Sequence, residues 1–60
     1  MKLKLTIRMD NAAFDENGTE AARILRKLAA DYEGRDLLDG EMSTLRDVNG
    51  NTVGLAKVVG

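Results

Sequence analysis

Leu45-Arg46-Asp47-Val48-Asn49-Gly50-Asn51-Thr52-Val53-Gly54-Leu55-Ala56-Lys57-Val58-Val59 is the stretch from which the fold can be read. Asn49 and Gly50 both tolerate positive φ, where most side chains clash, so Asn-Gly between two β-prone runs predicts a tight antiparallel hairpin. Its first strand is Met42 to Asp47, polar enough for a sheet edge. Its second is Thr52 to Val59, the most apolar run of the chain and the natural sheet centre. Two registers fit the turn. A two-residue loop pairs Val48 with Asn51 and Arg46 with Val53, which mixes charge into the apolar face. A three-residue loop with Gly50 left-handed, in a bulged turn, pairs Leu45 with Val53 and Ser43 with Leu55 and keeps apolar residues together, so it is preferred. In that register Leu45, Val53 and Leu55 face the core.

Working outward, Met1 to Met9 alternates with period two: Leu3, Leu5, Ile7 and Met9 on one face, Lys2, Lys4, Thr6 and Arg8 on the other. That is a strand with one face on the core and one in water. Asp10-Asn11 supplies turn chemistry, and Phe14, the only phenylalanine, is expected to plug the core where strand gives way to helix. Asn17 reads as a helix N-cap with Glu20 completing a capping box. The helix then runs from about Gly18 to Glu33, with Ala21, Ile24, Leu25, Leu28 and Tyr32 forming one apolar stripe, and Gly34 in left-handed conformation ends it. Arg35 to Gly40 is a polar connection in which Leu37 or Leu38 tucks under the helix end.

The order is β-α-β-β, an α+β fold. If the helix returns the chain so that the second strand runs parallel to the first, only the order 1-3-2 makes every neighbouring pair antiparallel and centres the apolar third strand. The expectation is a three-stranded antiparallel sheet with one helix packed on one face, one domain over residues 1–60. A ribbon-helix-helix dimer shares the opening strand and helix but needs a second helix where this chain places a hairpin.

Sixty residues lie near the lower limit for a single core without disulfides or metal, and the chain has no Cys and no His. Hydrophobic residues make up 43% and charged residues 32%, a globular balance. No apolar run approaches the roughly 20 residues of a spanning helix, so the expectation is a soluble cytoplasmic protein without a membrane partner. Catalysis has no visible equipment: no His base, no Cys nucleophile, and no activated-serine context around Ser43. Asp47-Val48-Asn49-Gly50-Asn51 lacks the remaining ligands of a calcium loop, and a lone Gly18 is no phosphate cradle, so no metal or cofactor is expected.

The charges do pattern. Net charge is −1, from nine bases and ten acids. Asp31, Glu33, Asp36, Asp39 and Glu41 form an acidic run opposed only by Arg35, a candidate partner-binding surface as well as an ordinary solubilising loop. Bases concentrate at Lys2, Lys4 and Arg8 and at Arg23, Arg26 and Lys27, an alternative basic surface for nucleic acid, though one without an aromatic platform for base stacking. The exposed edge at Met42 to Asp47 permits weak dimerisation of an otherwise monomeric chain.

The chain resembles a class of very small proteins encoded in bacteriophages and prophages. The resemblance is nearly complete in coverage and is carried by Leu3-Lys4-Leu5-Thr6-Ile7, Asp10-Asn11-Ala12-Ala13-Phe14, Ala21 to Ala29 and, most specifically, the Leu45 to Gly54 hairpin. Small acidic phage proteins include anti-CRISPR proteins. The resemblance therefore implies an inhibitor acting in the bacterial host cell by protein-protein interaction. It would bind a Cas subunit of a type I complex and block DNA engagement as a DNA mimic through the acidic surface. The alternatives are a phage accessory protein binding nucleic acid through the basic strand face, and a regulatory interaction module without a CRISPR target.

Overall fold

The computed structural model describes residues 1–60 as β1 (Lys2–Ile7), one 3-10 turn (Ala12–Phe14), α1 (Thr19–Tyr32), β2 (Met42–Arg46) and β3 (Thr52–Val59). The sheet has the order β1-β3-β2 and is antiparallel throughout, with the most apolar strand at its centre as expected. The helix lies over one face and nearer to β2 than to β1. Phe14, Ile24, Leu28, Leu45, Val53 and Ala56 form the core, with Ile7, Ala13 and Tyr32 packed around them. Burying side chains such as Ile24 and Leu28 stabilises the fold by about 1.5–3 kcal/mol each. Phe14 holds the place expected of it: Asn11 caps the 3-10 turn by accepting from Ala13 N, and the turn swings the ring inward.

The hairpin loop is the three-residue form. Gly50 has φ of +85°, its N–H donates to Asp47 O, and Asp47 N–H donates to Asn51 O. Beyond it the register departs from the expected one. Arg46 pairs with Thr52 but Leu45 pairs with Gly54, so Val53 is an extra residue in the central strand. The expected pairs Leu45 with Val53 and Ser43 with Leu55 are replaced by Leu45 with Gly54 and Ser43 with Ala56. The bulge buries Val53 alongside Gly54 and turns the rest of β3 over. Ala56 and Val58 go to the core, and Leu55 to the open face, opposite Thr6 and Thr44. A register without the bulge would bury Lys57 in place of Val58, which explains why the chain accepts the irregularity.

Gly54 allows this arrangement. A Cβ built there would stand 1.9 Å from Thr6 O, so β1 can lie against β3 at this level only because the side chain is absent.

Three further expectations are corrected. The capping box does not form: Asn17 Oδ1 accepts from Thr19 N at 3.0 Å, but Glu20 turns away to the hairpin and the residue at the cap is Gly18. The first strand is not half-buried, since Leu3 and Leu5 remain 48% and 37% exposed where the helix, displaced toward β2, fails to cover them. Leu25, also expected in the stripe, is exposed on the helix flank. Gly34 ends the helix in left-handed conformation as expected, Leu37 is half-buried and Leu38 is exposed.

Gly54→Ala is expected to cost about 3 kcal/mol, the upper end of overpacking effects. For a 60-residue domain with roughly 0.1 kcal/mol per residue in hand, that removes a large part of the stability. Urea denaturation followed by circular dichroism measures it, and a midpoint within error of the parent would contradict the close approach.

Candidate functional site

None of the strand residues is Asp or Glu; every charge the strands carry is Lys or Arg. Register and alternation place all of them on the face away from the helix. Lys4 pairs directly with Lys57, which pairs on its other side with Met42; Lys2 lies opposite Val59, and Arg46 opposite Thr52. Each of these basic side chains is exposed. Arg8, just past β1, donates from Nη2 to Thr52 O at 3.0 Å, which anchors a guanidinium beside the Arg46–Thr52 pair. Lysines therefore gather at one end of the face and arginines at the other, with Thr6, Leu55 and Thr44 between them. At 3.3 Å per residue, Lys2 to Arg8 spans about 20 Å, the axial length of roughly six nucleotides. Two lysines directly opposite each other repel across strands, an arrangement relieved when an anion lies over them.

The basic residues proposed from sequence are not one surface. Lys2, Lys4 and Arg8 share the open sheet face, whereas Arg23, Arg26 and Lys27 stand on the helix, across the sheet. Arg23 is also occupied: it forms a two-pronged ion pair with Glu20 at 2.8 and 3.0 Å and donates to Arg46 O at 3.2 Å. Lys57 and Arg46 are the members that sequence reading missed. Lys57 alternates with Leu55, so a register that turned Leu55 inward hid it. Only recognition of a second bulge would have exposed it.

The acidic residues collect around the end of α1 and the connection to β2. Glu41 is drawn out of the set by Arg35, whose Nη2 donates to it at 2.6 Å; Arg35 also donates to Asp31 O and lies 5.6 Å from the centre of the Tyr32 ring. The Arg35 guanidinium holds the Glu41 carboxyl below its ordinary range, and Glu41 in turn raises Arg35. Asp31, Glu33, Asp36 and Asp39 are exposed and make no ion pair. A groove of about 420 Å³ runs between α1 and β2, lined by both signs of charge, including Arg23, Lys27, Asp31 and Asp47.

Two buried carboxylates support the hairpin. Asp47 accepts from the backbone N–H groups of Asn49 and Asn51 and from the side-chain amides of Asn51 and Asn11, all between 2.8 and 3.0 Å. Burial pushes its pKa up, but the donors from Asn51, Asn11 and Asn49 together outweigh burial and hold it below the ordinary value. Glu20 is lowered first by Arg23, then by the Val48 N–H at 2.7 Å, against its own burial. No three His, Cys, Asp or Glu residues gather where they could hold a metal ion, and no helix is long and apolar enough to cross a membrane. Compared with protein-family models, curated proteins and solved structures, the chain matches none.

Both carboxylates have folded-state pKa values below their unfolded ones. Their contribution is therefore complete above the ordinary carboxylate range and is lost as the pH falls through that range, near about 4, and below it. Thermal unfolding midpoints should be level at neutral pH and drop on acidification. Asp47→Asn should lower the midpoint at neutral pH and flatten its acid dependence, because an amide cannot accept as the carboxylate does. An acid dependence unchanged by the substitution would remove Asp47 from this role.

Proposed function

We propose that this protein is a non-enzymatic binding module that takes the phosphate backbone of nucleic acid across its open sheet face. The observation that carries this reading is the segregation of strand charge: Lys2, Lys4, Arg46 and Lys57 on one face, with Arg8 at its end and no carboxylate in any strand. A surface arranged only for solubility mixes the two signs. Both aromatic side chains lie on the other side of the molecule, Phe14 in the core and Tyr32 packed against it. The face thus offers phosphate contacts without base stacking, which supports binding that is indifferent to sequence.

Gel-shift titrations across a salt series test it. With three to five phosphates neutralised, the log-log salt slope should fall between about −3 and −4.5 on duplex DNA. Lys4→Glu combined with Lys57→Glu should weaken binding at least about tenfold and shrink the slope by about two. Binding that is absent at low salt, or a slope unmoved by the double variant, would refute the assignment.

A second reading is supported by the four unpaired acids Asp31, Glu33, Asp36 and Asp39 at the other end of the charge distribution. It is the phage-derived inhibitor, an anti-CRISPR protein occupying a basic groove of a Cas subunit in a type I complex. Its test is charge reversal of Asp36 and Asp39 together in a CRISPR interference assay. Loss of inhibition with unchanged circular dichroism is expected, and retained inhibition would dismiss the acidic surface.

A further inference from the structure

We infer that two copies of this chain join along β1, in register about Leu5, to form one six-stranded sheet. The inference begins with the backbone. Arg8 N–H donates to Val53 O at 2.7 Å, and antiparallel alternation then directs the peptide groups of Lys2, Lys4 and Thr6 toward β3. Those of Leu3, Leu5 and Ile7 face outward along a free edge. The other edge, β2, already carries Arg23 on the Arg46 carbonyl.

The side chains on this edge are equally unfinished. Leu3 and Leu5 lie opposite the buried Val58 and Ala56, on the helix side of the sheet, yet are 48% and 37% exposed. Leu25, on the flank of α1 away from Arg23 and Lys27, is 46% exposed. Only ten of sixty residues are buried in the single chain, and it has no disulfide with which to compensate. Oligomerisation is one means by which domains of this size complete a core. The exposed surface is 4305 Å², of which a standard interface of about 800 Å² per partner would cover roughly a fifth.

The occupant is a second copy because the strand is complementary to itself. A two-fold axis at Leu5 sets Leu3 against Ile7 of the partner copy, Leu5 against its own counterpart, Lys4 against Thr6 and, at the two ends, Lys2 against Arg8. The neighbouring register, with the axis at Lys4, opposes Lys4 with Lys4 at its centre and carries Ile7 to Met1, outside the strand, so only the Leu5 axis pairs all three outward-facing residues Leu3, Leu5 and Ile7. The Leu5 axis keeps both helices on one side and merges the two basic faces on the other. Joining those faces opposes like charges, so salt should strengthen the dimer while it weakens nucleic-acid binding. The dimer does not rest on the nucleic-acid reading, and the two fail separately.

Sedimentation equilibrium on the protein without nucleic acid is expected to show mass rising with concentration from the 6.5 kDa chain toward twice that value, more steeply at higher salt. Leu5→Lys should hold it at the single-chain mass. Because the chain has no Cys, single-cysteine variants report the register even if Leu5→Lys folds poorly. Leu5→Cys should oxidise to a linked dimer at least tenfold faster than Leu55→Cys on the open face. Single-chain mass at every concentration, or equal rates for the two cysteines, would overturn the inference.

Discussion

The Asp47 carboxylate collects N–H donors from two segments 36 residues apart, the hairpin loop and the Asn11 cap, while Glu20 reaches from α1 to the Val48 N–H beside it. Through these two acids the hairpin, the turn that inserts Phe14 and the helix are held to one another. A buried carboxylate is costly unless its lone pairs are met by donors, and here the donors come from the parts of the chain that must be aligned. The same contact accounts for the abandoned capping box, since Glu20 cannot serve both its own helix terminus and the hairpin.

With the loop held this way, the bulge at Val53 decides which side chains of β3 are inside. One extra residue exchanges Leu55 for Ala56 and Val58 in the core and sends Lys57 out beside Lys4. Ala56 is fully buried, and the absence of a side chain at Gly54 lets β1 sit close to the central strand. The charge pattern of the open face is thus a consequence of core packing. A net charge of −1 conceals a molecule whose strand charges are all basic and whose helix C-terminal end is acidic. For encounter with a charged partner the local pattern matters more than the sum, because screening confines each patch to about a Debye length.

The displaced helix connects the fold to its open edge. One fourteen-residue helix cannot cover three strands, and the hydrogen bonds from Val48 N–H to Glu20 and from Arg23 to Arg46 O, together with its packing, hold it toward β2 and the hairpin. The uncovered strip along β1 follows from that placement. It combines a free hydrogen-bonding edge with leucines that a monomer leaves half in water.

The sequence by itself determined the elements and their order. Period-two alternation in Lys2–Ile7, the three- and four-residue spacing of Ile24 and Leu28, left-handed Gly34 and Gly50, and the apolar run Thr52–Val59 are local properties. Each was legible because φ preference and hydrophobic period act within a few residues. The order β1-β3-β2 followed from placing the most apolar strand in the middle. Only the tertiary structure decided the second bulge, the direction Glu20 takes, the exposure of Leu3 and Leu5, and the pairing of Lys4 with Lys57. These depend on contacts between residues far apart in the chain: Thr6 against Gly54, Glu20 against Val48, and one helix apportioned over three strands. Single-chain periodicity carries no record of such competition, and for that reason the basic face emerged from the hairpin only once its register was known.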